Sequence, residues 1–292
     1  AALGVVRGVH SAAWFPLGSS LEGDVCAAPV PVPEARSAAE REHREAVDEL
    51  LERLWRGRSG YGISAEEEDA IASAGAKAQS NRSGAGKRSS TYGEVTPVGF
   101  RQIGRALGTD NLAPEAPMVF LDLGSGVGKL VVQAHLEWPG VARAEGVELS
   151  ASRAAEARAA WGRALAGGEA EALRAAALVL PRPAAAALPR GAVRLLEGDL
   201  FEVDVGEVTH AYVASLCFND DMLLRLGRKL AAEAPRLRAV AALRRFPRGI
   251  PGLEEAGSLQ AEMSWTKSRG GGQTVYLYRQ SGGSGERAAR RA

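Results

Sequence analysis

Cysteine is almost missing from this chain of 292 residues: Cys26 and Cys217 stand far apart, which leaves no disulfide framework and favours a reducing compartment. Histidine is scarce as well. His10, His43, His135 and His210 have no second ligand at helical or strand spacing, so no metal site is indicated. No apolar run reaches the roughly 18 residues of a membrane span, and nothing in the chain points to a membrane. A net charge of +1 gives no global field for nucleic acid. Polyanion contact is then at most weak, through short basic clusters such as Arg82, Lys87 and Arg88, or Arg287, Arg290 and Arg291, which read more simply as solvated loop and tail. No serine sits on a nucleophile elbow and no base is paired with Cys217, so a covalent hydrolase is not indicated. What remains is ordinary globular composition, 46% hydrophobic and 24% charged, in a length that suits one α/β core with an appended element.

Residues 1–33 are rich in Ala, Gly and Pro and read as a flexible linker or leader; the acid-poor stretch 1–21 is faintly like an organelle transit segment. Residues 34–110 form an N-terminal helical segment. Within it Val47, Leu50, Leu51, Leu54 and Trp55 fall on one face of a helix over 34–55, and Ser64 with Glu67 makes a capping box for a second helix towards Gln79. Both helices are expected to pack on the domain that follows, over 111–280. There strands are predicted at 118–123, 142–148, 192–198, 210–216, 238–246, 259–265 and 273–279, with helices after Gly128, Ser150 and Asn219. The last two strands should form an antiparallel hairpin at the sheet edge, and 166–190 reads as an extended Ala-rich helix and loop. The predicted class is α/β: a Rossmann-like class I methyltransferase core with a mostly parallel seven-stranded sheet. Residues 281–292 make a basic flexible tail.

The richest stretch runs from Val119 to Lys129, where an apolar strand enters a three-glycine turn through one acid, Asp122. Backbone N–H groups at such a turn can approach a ligand. A dinucleotide fingerprint fails because Lys129 stands at the third glycine's place, and a phosphate-binding loop fails because Leu123 and Leu130 replace its first glycine and its Ser/Thr. Asp122 would repel a pyrophosphate but welcome an α-ammonium and a sulfonium, so the turn reads as a site for S-adenosyl-L-methionine. Glu148, at the end of the second strand, is placed to accept from two ribose hydroxyls. Asp199, ending the third strand, can accept from the adenine amine while Leu200 or Phe201 covers the ring; its plainer reading is a turn aspartate. Asn219, Asp220 and Asp221 read as the cap and acidic first turn of a helix. Phe218, Trp265 and Tyr276 are candidate walls of an apolar acceptor channel, or ordinary core.

Taken together, four segments resemble the non-SET histone-lysine methyltransferases of the disruptor-of-telomeric-silencing type: Tyr92-Gly93-Glu94; the run from Asp122 to Gly128; Gly146-Val147-Glu148 with Glu197-Gly198-Asp199; and Ser264-Trp265-Thr266 followed by Tyr276. The resemblance implies that Tyr92, Glu94 and Thr96 form a loop over the methionine part of the cofactor. It also implies that Asp122, Gly124, Ser125, Gly126 and Gly128 hold the amino-acid end and ribose, Glu148 the ribose hydroxyls, and Asp199 with Leu200 the adenine. The chain departs from the family at the fourth strand, where Ala214 and Ser215 stand in place of an Asn-Asn pair lining the lysine entrance, and Tyr276 falls one place from the family's channel tyrosine, which aligns over Val275. The catalytic candidates are therefore Ser215, Phe218, Trp265 and Tyr276. The implied activity is protein-lysine methylation, with a histone such as H3 or a nucleosome as partner and the nucleus as location. A small-molecule methyltransferase, a non-catalytic binding protein and a nicotinamide oxidoreductase are the alternatives, the last disfavoured by Asp122 and Lys129.

Overall fold

The computed structural model describes residues 31, 33–61, 63–69, 71, 93–109, 117–179, 192–266 and 271–281. Residues 1–30 and 32 of the predicted leader, 282–292 of the predicted tail, Tyr92 and most of the second predicted helix lie outside the described residues. Seven strands form one sheet: β1 (Met118–Leu123), β2 (Val141–Glu148), β3 (Ala192–Glu197), β4 (His210–Val213), β5 (Ala239–Ala242), β6 (Leu253–Ala261) and β7 (Gln273–Gln280). Their order across the sheet is β3-β2-β1-β4-β5-β7-β6. β1 to β5 are mutually parallel, and β7 runs antiparallel between β5 and β6. This is the Rossmann-like class I methyltransferase arrangement. The order reverses between β1 and β4, and the rim beside that switch, at the strands' carboxyl ends, is where such sheets bind ligands.

β1 is buried along its whole length. Its residues divide by parity. Phe120 joins Phe100, Leu130, Trp138, Tyr212 and Val275 on one face, whereas Leu121 and Leu123 join Phe201, Leu223, Leu226 and Tyr278 on the other. A parallel strand covered by helices on both sides needs such a continuous apolar run. Two helices cover the first face, α2 (Pro97–Leu107) and α3 (Lys129–Glu137). Thr96 caps α2 by accepting from Gly99 N–H at 3.0 Å, Pro97 opens it, and Gly108 ends it in the left-handed region. Phe100 of α2 stacks on Trp138 with centroids 4.5 Å apart. α6 (Asp220–Glu233) covers the second face through Leu223, Leu226 and Leu230, with Asn219 Oδ1 accepting from Met222 N–H at 2.8 Å as its cap.

The N-terminal helix α1 (Ala38–Trp55) buries the face read from its spacing. Val47, Leu50, Leu51, Leu54 and Trp55 meet Val127, Val132 and Leu136 together with Ala160 and Ala164 of α4 (Ala151–Ala166). Trp55 Nε1 donates to Val127 O at 3.1 Å, pinning this helix behind the glycine turn. It begins later than expected because Ser37 caps it, accepting from Glu40 N–H at 3.1 Å. Of the predicted capping box the Ser64 half forms, with Ser64 Oγ accepting from Glu67 N–H at 3.2 Å and residues 65–69 helical, while the Glu67 carboxylate turns to Ser150 and Ser152.

The Ala-rich stretch holds the expected helix, α5 (Glu169–Val179), set off from α4 by Gly167 and Gly168, and its loop lies outside the described residues. Two sequence expectations need correction. β6 lies earlier than 259–265, because Gly257, at φ 142°, makes a bulge that blurs the strand's alternation. Trp265 accordingly sits in the turn that follows and not in the strand. β4 and β5 are shorter than expected, since both stop at the sheet rim and residues 215–217 turn into a single 3₁₀ turn.

Candidate S-adenosylmethionine site

The three turn glycines take φ of 87° at Gly124, 55° at Gly126 and 81° at Gly128, a region that side chains with a Cβ avoid. Gly124 and Ser125 N–H both reach Val147 O at 3.0 Å, tying the turn to the end of β2. Gly128 has a second constraint: a Cβ there would lie 2.8 Å from Leu195 Cδ2 and 3.0 Å from Ala157. Gly128→Ala is therefore expected to cost about 2–3 kcal/mol, from backbone strain and crowding together, seen as a lowered urea midpoint.

Glu148 is buried, and its carboxylate is fixed by two backbone donors, Gly126 N–H on Oε2 at 2.8 Å and Ser150 N–H on Oε1 at 2.9 Å. Each oxygen keeps acceptor capacity for a ribose hydroxyl. The segment before the cofactor loop docks beside it: Glu67 Oε1 accepts from Ser150 Oγ at 2.5 Å and from Ser152 N–H at 3.0 Å, and Arg153 Nε donates to Gly60 O at 2.9 Å. Neither Glu67 nor Arg153 was singled out for the site from sequence, although Glu67 was visible as half of a capping box.

Asp122 is 1% exposed, and its Oδ1 has no hydrogen-bond partner. Burial, and then the neighbouring Glu148 charge, push its carboxyl well above the usual carboxylate range. A buried acid left in that condition fits a cationic group, as the α-ammonium of S-adenosylmethionine requires. Asp199 is half-buried, and its Oδ1 accepts from Phe201 N–H at 2.9 Å in a local turn. The Arg225 guanidinium lies 4.0 Å above the Phe201 ring, so of the two candidates for covering the adenine it is Leu200, half-buried beside it, whose surface is not already stacked.

The Gly93-Glu94 and Ser264-Trp265-Thr266 elements meet across 170 residues of sequence. Glu94 N–H donates to Ser264 Oγ at 3.2 Å, Ser264 N–H returns to Glu94 O at 2.8 Å, and Val95 bridges Met263. Thr96 Oγ1 donates to Glu262 Oε1 at 2.8 Å. Gly93 lies so close to Trp265 that a Cβ would come within 2.5 Å of its ring. Glu94 Oε2 also pairs with Lys129 Nζ at 2.6 Å, so the loop is fastened to the glycine turn itself. Lys129 served the sequence reading only as evidence against a dinucleotide; its pairing shows why a long cation suits that place.

The four candidate acceptor-side residues divide between the two faces of the sheet and its rim. Phe218 and Tyr276 pack on the α6 face, and Trp265 packs on the opposite face with Phe100 and Val275. Strand alternation decides this, since Tyr276 and Val275 must point to opposite sides. Ser215 is buried at the rim, its Oγ accepting from Arg244 N–H at 2.9 Å, and the Arg244 guanidinium donates to Phe218 O and to Asp220 Oδ1, the latter at 2.9 Å. Arg245 lies 4.9 Å above the Tyr276 ring.

Residues 76–164 match the family model described as histone methylation protein DOT1. That segment is similar to the DOT1 family. It contains the loop at Glu94, the glycine turn and Glu148, so the matched segment coincides with the cradle whose donors and acceptors fit S-adenosylmethionine. No curated protein matches the chain. Among solved structures, the RNA methyltransferase from Salinibacter ruber in complex with S-adenosyl-L-homocysteine is 21% identical, the match covering 63% of this chain and 94% of that one, with a TM-score of 0.38. For the rRNA methyltransferase aviRa from Streptomyces viridochromogenes the values are 15%, 63%, 84% and 0.40, and for the mitomycin 7-O-methyltransferase MmcR they are 16%, 84%, 69% and 0.38. At TM-scores this low the class I assignment rests on this chain's own strand order and glycine turn.

Proposed function

We propose that the protein is an S-adenosylmethionine-dependent protein-lysine N-methyltransferase, with a histone, H3 first, as the substrate to test. One observation supports this reading above the others: the Glu94 loop is stitched to the Ser264-Trp265-Thr266 turn and fastened through Lys129 to the cofactor turn. Most class I methyltransferases lack these two elements, and here they are joined into one structure beside the cradle. Nuclear residence and a chromatin partner belong to the same reading and stand or fall with it.

The cofactor, when bound, supplies a methyl group on a sulfonium, so the acceptor needs chiefly to be held in line and dry. Glu148 would hold the ribose, Asp122 the ammonium, and Asp199 with Leu200 the adenine. A lysine acceptor must arrive neutral, which costs about 4–5 kcal/mol at pH 7 for an amine of reference pKa about 10.4. An apolar approach lined by Trp265 lowers that cost by disfavouring the cation.

A second reading is favoured by the rim. There Ser215 Oγ is already taken by Arg244 N–H, and the Arg244 side chain spans Phe218 O and Asp220 where the resemblance places two asparagines. That difference favours a non-histone protein or a small molecule as acceptor. The deciding test is transfer of labelled methyl from S-adenosylmethionine to nucleosomes, free core histones and a cell extract. Label on one protein band, recovered as methyl-lysine on hydrolysis, supports the first reading; cofactor binding without any labelled protein moves the search to small molecules.

A further inference from the structure

Asp122 and Tyr212 are register partners on the adjacent parallel strands β1 and β4, so their side chains stand side by side on the α2/α3 face. Both residues are 1% exposed. Among the buried polar side-chain atoms of the described residues, Asp122 Oδ1 and the Tyr212 hydroxyl each lack a hydrogen-bond partner, and they are the two such atoms that neighbour one another across paired strands. The Tyr212 ring belongs to the apolar cluster of Phe100, Leu130 and Leu277, a place that phenylalanine would fill as well. Its hydroxyl is thus a group the core does not use. Ala214, two residues on, abuts Gly124 at 3.5 Å from where a Cβ would stand, so this strand forms a wall of the cofactor turn.

Resting on the cofactor reading above, we propose that Tyr212 is a positioning residue of the cofactor site, whose hydroxyl donates to Asp122 when that carboxylate binds the cofactor's α-ammonium. The chemistry is that of a phenol, a good donor to a charged oxygen and a poor match for a neutral, buried acid that lacks a cation. Burial first, and then the Asp122 charge, push the Tyr212 phenol well up, so it stays protonated and able to donate. Asp122 Oδ1 and the Tyr212 hydroxyl, which no other group of the described residues satisfies, would each gain a partner with the ammonium in place. A residue with this role stabilises the bound state while adding nothing to the unbound one, which a purely structural tyrosine cannot do.

The experiment compares the full chain with Tyr212→Phe, titrating S-adenosylhomocysteine and, separately, methylthioadenosine, which keeps the adenosine and sulfur but has no amino-acid end. Ligand-free denaturation midpoints are measured alongside. The expected result is an S-adenosylhomocysteine affinity roughly tenfold lower in Tyr212→Phe, an unchanged methylthioadenosine affinity, and a ligand-free midpoint that is unchanged or raised. An unchanged S-adenosylhomocysteine affinity, an equal loss for both ligands, or a lowered ligand-free midpoint with no selective loss overturns the assignment and returns Tyr212 to the core. A wild-type chain that binds neither ligand overturns the cofactor reading itself, and this assignment with it.

Discussion

Glu148→Ala is expected to weaken S-adenosylhomocysteine binding by about 10²- to 10³-fold, read by titration calorimetry, with a smaller loss of stability in the ligand-free chain. The size follows from what the carboxylate holds. It accepts Gly126 N–H and Ser150 N–H, so its removal strands two buried backbone donors and loosens the turn on one side and the start of α4 on the other. On the proposed reading it also removes two charge-assisted bonds to the ribose, each worth about 1.5–3 kcal/mol. Glu148→Gln is no rescue: an amide presents one N–H₂ group towards backbone donors that both need acceptors. An affinity within threefold of wild type for Glu148→Ala would mean that the ribose is held elsewhere.

The placement of the proposed cofactor residues was legible in the sequence because its determinants are local. A turn glycine, the acid before it and the acid ending the next strand are each fixed by spacing along one βαβ unit, and Asp122, Gly126 and Glu148 fall where that spacing puts them. The acceptor half depends on which face a residue takes after a strand has ended, and small shifts in strand ends destroy that information. Trp265 read as a strand residue lies in a turn, and one position of alternation puts Tyr276 on the opposite face from it. Tyr212 was legible in principle: it shares the Asp122 side of the sheet once β1 and β4 are paired in register, but its own strand reads as plain core. The seven-strand count survived because each strand has its own apolar run, and the bulge at Gly257 moved one strand without removing it.

The loop that closes on the cofactor turn depends in its turn on a buried charge cluster behind it, and Arg101→Met is expected to show this with a loss of about 3–5 kcal/mol at pH 7 in chemical denaturation. Arg101 lies on α2, the helix capped by Thr96 of the loop. Its guanidinium binds Asp48 of α1 through Nη1 at 2.9 Å and Nη2 at 2.6 Å, and Glu137 at the end of α3 through Nη2 at 2.5 Å and Nε at 3.1 Å. Gln133 Nε2 adds a donor to Glu137 at 3.1 Å. Burial raises the Glu137 carboxyl even with Arg101 pulling it down, so this ion pair owes more to position than to net stability. Methionine keeps the stem's packing and leaves Glu137 buried with no cation. The sign of the pH dependence then follows. A carboxyl whose folded pKa is raised binds more protons folded than unfolded, so stability falls as pH rises above the unfolded value of about 4.3, and the deficit of Arg101→Met relative to wild type should shrink on acidification. Arg101→Met with Glu137→Gln removes both charges and should recover most of the loss at pH 7. A deficit that is flat with pH and persists in the double variant would mean that Arg101 acts through its bonds to Asp48 and the Arg44 carbonyl, holding α1 in place, and not through Glu137.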